Sequence, residues 1–232
     1  MSGYQKRISS PRAWPIGRKE HKWIVKPIPG THSIERSIPL LVLLRDVLGV
    51  VDNGHEAKYA LRKGRVLVDG IVRKAYRFPV GLFDLISILP DEKHYRVLLS
   101  HRGKITVRET DEPKVKLCKI EKKQVVRGGK IQMGLHDGTN ILTNNDYRRK
   151  DSIMISVPER EILKHIKYEA GRVALVTGGK HTGEVGKIKK IEVREGSNPN
   201  IVTIEMDDKI FETIEDYAFI VGEEKPLLNL EI

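Results

Sequence analysis

Apolar residues first recur at helical spacing from Leu40: Leu41, Leu44, Val47 and Leu48 follow, and Gly49 stops the run. Ser37 ahead of Pro39 predicts the start of this helix, with the serine as N-cap and the proline in the first turn. A shorter period begins at the cap residue Asn53, turns Ala57, Ala60 and Leu61 inward, and ends at Gly64. The period then changes to that of strands. Residues 65–72 read as a strand, an Asp69-Gly70 turn and a second strand start, and residues 83–88 as a further strand. Residues 38–92 are therefore expected to form a small α+β module.

Beyond it the pattern is short strands and turns. Strands are predicted at 95–100, 105–108, 115–120 and 130–133, with turns at His101-Arg102-Gly103, Asp111-Glu112-Pro113, Gly128-Gly129 and 136–140, so 93–168 reads as a β domain. From Gly171 a third unit begins. A strand at 173–177 leads into the glycine-rich loop 178–183, then a strand at 185–193 in which Ile188 and Ile191 break strict alternation and predict a bulge. A hairpin at 201–206 and 210–213, linked by Asp207-Asp208-Lys209, and a last strand alternating Tyr217, Phe219 and Val221 complete it. Five short strands fit a small SH3-like barrel over 169–222, followed by a tail, 223–232. The predicted class is α+β, mostly β.

Residues 1–37 show neither period. Pro11, Pro15, Pro27 and Pro29 each remove a donor and push the preceding residue out of the helical region. Basic side chains alternate loosely with Tyr4, Trp14 and Trp23. An extended basic segment is expected, rich enough in aromatics to order on RNA, because guanidinium and indole groups stack on bases and contact phosphates.

Charge sharpens this reading. The 232 residues carry 42 Lys+Arg and 31 Asp+Glu, a formal +11. The first 37 hold eight basic and two acidic side chains, whereas residues 194–232 hold three basic and ten acidic ones. A strong positive field with an acidic end is the footprint of a nucleic-acid binder. No stretch approaches the roughly eighteen uncharged apolar residues of a membrane helix, and no apolar segment follows the basic start as in a secretory signal. A single cysteine, Cys118, excludes an internal disulfide and a cysteine-built zinc site.

The chemistry-bearing motifs are mostly negative. Gly186-Lys187 is followed by Ile188 and preceded five positions earlier by His181, so a phosphate-binding P-loop fails at both ends. Loop 178–183 supplies turn glycines, though Lys180, His181 and Lys187 beside it suit a nucleic-acid backbone. The eight histidines show no metal-ligand spacing with each other or with Cys118. Neither Gly-x-Ser-x-Gly nor His-Glu-x-x-His occurs. Asp69 and Asp137 precede glycines in turns, and Asp46 and Asp84 read as polar partners inside the module.

These residues converge on a resemblance. Gln5-Lys6-Arg7, Pro11 and Trp14, then Pro29-Gly30, His32 and Pro39-Leu40, resemble the leader of the archaeal and eukaryotic family of small-subunit ribosomal protein four. Leu44-Arg45-Asp46, residues 63–70 and Asp84-Leu85-Ile86 resemble its S-four-type RNA-binding domain. Gly129-Lys130-Ile131-Gln132 with Leu135-His136-Asp137-Gly138 is similar to its central domain, and 176–191, with Gly179, Gly183 and Gly186, to a KOW motif. Two departures stand out. Gly54-His55 replaces the usual Ser/Thr-Arg opening of the second helix, and Tyr4-Gln5 replaces a common His-Leu pair.

The resemblance implies a structural, non-enzymatic component of the small ribosomal subunit in the cytoplasm. Its partners are small-subunit rRNA and neighbouring ribosomal proteins, with no cofactor, metal, membrane or small-molecule substrate. RNA contacts are expected from Lys6, Arg7, Arg12, Trp14, Arg18, Lys19 and Lys22 in the leader. In the module they are expected from Arg45, Lys58, Arg62, Lys63, Arg65, Arg73, Lys74 and Arg77, with a further phosphate at the helix N-terminus Asn53-Gly54. Lys180, His181 and Lys187 complete the set. The rivals are an RNA-modifying enzyme of the pseudouridine-synthase kind, which also carries S-four-type domains, and a KOW-bearing translation or transcription factor. Neutralising six to eight phosphates predicts that log affinity for rRNA falls with log salt with a slope of about −4 to −7. Filter binding across a salt series measures it, and a slope near zero removes the electrostatic reading.

Overall fold

The computed structural model describes residues 3–89, 91–206 and 209–230. Among the described residues it is mostly β, with two short α- or π-helical segments, three 3₁₀ turns and antiparallel sheets, and it divides into two compact units. The first comprises residues 1–98, 104–116 and 156–160. The second comprises 99–103, 117–155 and 161–232. Among the described residues no helix is long and apolar enough to cross a membrane.

In the first unit the helical start differs from the expectation. Ser37–Pro39 is a strand paired with Pro79–Gly81, and the helix begins at Leu40 without a side-chain cap. Its orphan amides are satisfied instead from a distant loop: Leu40 N–H donates to the Phe78 carbonyl at 2.9 Å and Leu41 N–H to that of Tyr76 at 3.0 Å. Ser37 is thereby freed from capping, and its hydroxyl donates to the Ser33 carbonyl. The helix widens into a π-turn over Leu43–Val47 and stops before Gly49. The second helix, Gly54–Arg62, starts at Asn53 as expected and buries Ala57 and Leu61; Ala60 is half-buried.

Val66–Val68 and Ile71–Val72 are joined by Asp69 and Gly70, both at positive φ, the two-residue turn that matches strand twist. They belong to a five-stranded sheet with Leu85–Ile88, Lys93–Leu99 and Ile105–Glu109. The expected boundary at 92/93 thus falls between two paired strands, Leu85–Ile88 and Lys93–Leu99. Phe83 and Asp84 lie in the turn before Leu85–Ile88 rather than in the strand, Phe83 at positive φ.

Residues 3–37 are folded onto defined structure. Tyr4–Lys6 pairs antiparallel with Trp23–Val25. Trp14 is 1% exposed, and its indole N–H donates to the Ser37 carbonyl at 2.6 Å. The prolines keep the backbone largely extended apart from short 3₁₀ turns, and the apolar residues Trp14, Ile24 and Val25 are buried.

A buried ion network ties these pieces together. The Lys116 ammonium donates to Asp69 Oδ2 and Asp84 Oδ1, each at 2.7 Å, and His32 Nε2 lies 3.0 Å from Asp84 Oδ2. Gly81 N–H donates to the same Asp84 oxygen; a side chain at Gly81 would strike the His32 ring. Burial alone would raise the Asp84 carboxyl, but the His32 and Lys116 charges beside it outweigh burial and hold it below the ordinary range. Asp69 moves the other way, up, through burial and the neighbouring Asp84, against the pull of Lys116.

The second unit has two five-stranded antiparallel sheets. One runs in the order Asn140–Thr143, Ile131–Leu135, Val115–Val125, Ser152–Ser156, Ile162–Ile166 and encloses Cys118, Ile120, Met133, Leu135, Ile153 and Ile155. The other runs Lys209–Ile214, Ile201–Met206, Val185–Glu192, Val173–Val176, Ala218–Gly222 around Ala174, Val176, Ile188, Val202, Ile204 and Ile220. The register shifts between Ile188 and Lys190, where the sequence pattern placed a bulge. The expected alternation in the last strand is not realised. Ala218–Gly222 is buried throughout, as is its partner Val173–Val176, so both faces are covered, and Tyr217 lies in the preceding 3₁₀ turn. The predicted turn residues Asp207 and Asp208 lie outside the described residues.

Because the folded Asp84 carboxyl is depressed, its stabilisation is fully present above its unfolded value of about 4 and is lost as pH falls through the folded one. Asp84→Asn is expected to cost about 3–5 kcal/mol at neutral pH. Urea denaturation should show the gap to wild type closing below about pH 4; a gap constant with pH would show that the ionised Asp84 is not what stabilises the network.

Candidate nucleic-acid interface

The second helix and the residues just after it present a group of exposed cations. Arg62, Lys63 and Arg65 are exposed around its C-terminal end, and Arg65 is held by backbone bonds to Ala60 and Leu89. Lys58 lies over the Tyr76 ring at 4.8 Å, joining the helix to the basic loop that follows Val72. In that loop Lys74 is exposed, while Arg73 is half-buried over Phe78 at 4.5 Å. The structure therefore brings Lys58, Arg62, Lys63, Arg65, Arg73 and Lys74 to neighbouring elements. Tyr59 belongs with them and was missed by the sequence reading. It is 50% exposed under the Lys63 ammonium at 5.6 Å, and the i,i+4 spacing of Tyr59 and Lys63 is the signal that carried it.

Three expected contacts in this module are weakened. Arg45 is paired with Asp46 at 2.8 Å. Arg77 is half-buried and donates to the Lys26 carbonyl. The helix N-terminus does not present a phosphate site: the Asn53 side chain accepts from both His55 N–H and Glu56 N–H, and the Glu56 carboxylate turns back to Asp52 N–H.

In the leader the two tryptophans differ. Trp14, expected to stack on bases, is buried, whereas Trp23 is 55% exposed with the Lys22 ammonium 5.7 Å from its ring. Arg7 is buried too, donating to the Gly17 carbonyl and pairing with Glu20 at 3.1 Å. Arg18 is half-buried on the carbonyls of Ile8 and Ser10. Lys6, Arg12, Lys19 and Lys22 remain exposed.

In the second unit Lys180 and Lys187 are exposed. His181 is stacked on Phe211 at 4.0 Å and lies 2.8 Å from Glu184, which ties the glycine-rich loop down. Gly183 packs directly against the Ser100 backbone, so loop 178–183 abuts the turn bearing His101 and Arg102.

The carboxylates with catalytic potential are otherwise engaged. Asp69 and Asp84 hold Lys116, Asp46 holds Arg45, and Asp137 accepts from Thr139 N–H and its hydroxyl. One convergence was invisible to sequence spacing: Cys118, His136 and Asp137 offer donor atoms within 4.8 Å of one another. Continuing the Ile120–Leu135 register two residues past the strand end, into the turn, sets Cys118 opposite Asp137.

A mostly-β scaffold with cations grouped on its outside suits contact with a polyanionic backbone. Comparison with known proteins agrees. The profile described as Ribosomal family S4e matches residues 91–162, that of the RS4NT domain residues 4–35, and that of the KOW motif residues 170–205. The small ribosomal subunit protein eS4 of Archaeoglobus fulgidus is 48% identical over 232 residues, covering 99% of this chain and 98% of its own. That of Methanocella arvoryzae is 50% identical over 224 residues, covering 97% and 96%. The crystal structure of the 30S ribosomal protein S4e from Thermoplasma acidophilum matches with a TM-score of 0.70 at 35% identity, covering 81% of this chain and 96% of that one. The chain belongs to the S4e family of ribosomal proteins, structural components of the small subunit. The enzyme reading has no support.

The difference between the tryptophans is measurable. Trp14→Phe, which keeps Trp23, should emit to the red, be quenched by acrylamide and respond to rRNA. Trp23→Phe, which keeps Trp14, should emit to the blue and respond to neither. An RNA response from Trp14 would return it to the interface.

Proposed function

We propose that this chain is built into the cytoplasmic small ribosomal subunit by binding rRNA through the basic face of its first unit, and that it supports subunit assembly and translation. The observation that carries the reading is the grouping of Arg62, Lys63 and Arg65, with Lys58 and Lys74 nearby, on the second helix and the loop it touches. Such cations meet phosphates and position the protein without reading sequence, while Tyr59 and Trp23 offer flat surfaces for unstacked bases. Lys6, Arg12, Lys19 and Lys22 extend the contact along the leader, and Lys180 and Lys187 supply a separate one from the second unit. We read residues 169–222 of that unit as a KOW barrel of the SH3-like kind, and neighbouring ribosomal proteins as the partners of the acidic C-terminal end.

Reversing three charges tests this directly. Arg62→Glu, Lys63→Glu and Arg65→Glu together should leave circular dichroism unchanged and weaken rRNA binding by about tenfold or more at moderate salt. In sucrose gradients the wild-type chain should stay in the small-subunit peak stoichiometrically through a salt wash, and the triple variant should be depleted. Undiminished retention and binding of the variant would move the interface elsewhere.

A further inference from the structure

In the second unit, where Val115–Val125 meets the turn after Ile131–Leu135, a sulfur, an imidazole nitrogen and a carboxylate oxygen converge, from Cys118, His136 and Asp137. We propose that these three side chains bind a single divalent transition-metal ion of borderline softness, zinc being the best match. The site is independent of the RNA face, and it is one that the spacing of residues in the chain did not reveal.

The site is built rather than accidental. Asp137 is buried, and its Oδ1 is held by Thr139 N–H at 3.0 Å and the Thr139 hydroxyl at 2.7 Å. Its Oδ2 accepts from the Cys118 thiol at 4.0 Å. His136 is fixed from two sides. Its backbone N–H donates to the Lys119 carbonyl at 2.9 Å, its ring stands edge-on to Phe219 at 5.0 Å, and its Nδ1 accepts from Lys119 N–H at 3.3 Å, a long bond that a metal on that nitrogen would replace. All three donor atoms lie within 4.8 Å of one another, against about 3.5 Å between donors in a closed tetrahedral zinc site, a difference that side-chain rotation covers.

The donor set selects the ion. Calcium and magnesium take oxygen ligands, whereas a mixture of thiolate, imidazole and carboxylate is what zinc binds. Binding replaces the thiol proton with the metal: the sulfur–metal bond forms and one proton leaves to solvent. The thiolate and the carboxylate together neutralise a divalent ion, which is what allows it in a site whose sulfur and carboxylate are buried. His136 is half-buried, so the imidazole side is the route of entry and the place for a water as fourth ligand. The bound ion would tie the turn at residues 136–139 to the strand beside it.

Because Cys118 is the chain's one cysteine, any thiolate–metal signal belongs to it. The full chain, purified with chelator and titrated with Co²⁺, should take up one equivalent. It should show a thiolate-to-cobalt charge-transfer band, lose that band to added Zn²⁺, and gain thermal stability with either metal. Cys118→Ser should abolish the band. His136→Ala and Asp137→Asn, checked by circular dichroism, should each weaken Co²⁺ affinity about tenfold or more. The release of one proton per metal in the wild-type chain tests thiolate ligation even where a variant fails to fold. Absence of the band from the folded wild-type chain would overturn the site. So would a band undiminished in both His136→Ala and Asp137→Asn, which would show a thiol acting alone.

Discussion

A buried ammonium has to be answered by fixed negative charge, and in the first unit that requirement sets much of the architecture. Lys116 is 1% exposed and is held by Asp69 and Asp84. Isolating such a charge from water costs several kcal/mol, so both carboxylates must arrive in place. Asp69 reaches it from the tip of the hairpin 66–72, and Asp84 from the turn that begins Leu85–Ile88. His32, which contacts Asp84, comes from the leader. The network thus positions the hairpin, its basic loop and the N-terminal segment together.

That internal use of charge changes what the formal net charge means. Arg7, Arg96, Lys116 and Lys119 are all buried. Arg96 donates to the carbonyls of Glu112 and Val115, and Lys119 to those of Asp216 and Ala218. These cations hold strands and turns and contribute little to the outer field. The RNA-facing capacity of the chain rests instead on exposed side chains such as Arg62, Lys63, Arg65 and Lys74, which stand on rigid elements or close beside them. Cations on such supports meet phosphates with less side-chain ordering left to be done on binding.

Much of the fold was legible because local signals agreed with the global one. Asn53 and Gly64 bracket the second helix, Asp69-Gly70 turns a hairpin, and the broken alternation at Ile188 and Ile191 marks the bulge. Ser37 misled because a serine before a proline is a good cap in isolation, whereas here the carbonyls of Phe78 and Tyr76 supply what the helix needs. In the candidate interface the cluster around Arg62 was legible from charge density. Arg7 and Trp14 were misplaced because residue type cannot tell a stacking indole from a core one.

The sequence alone determined the class, mostly β with a small helical module, the cationic character, and the family, since order and spacing of motifs survive without coordinates. Tertiary structure decided which charges are spent inside and which remain outside, because burial depends on contacts between residues far apart in the chain. It also decided that Cys118 faces His136 and Asp137. Strand register sets that meeting, and register emerges only when the sheet is assembled.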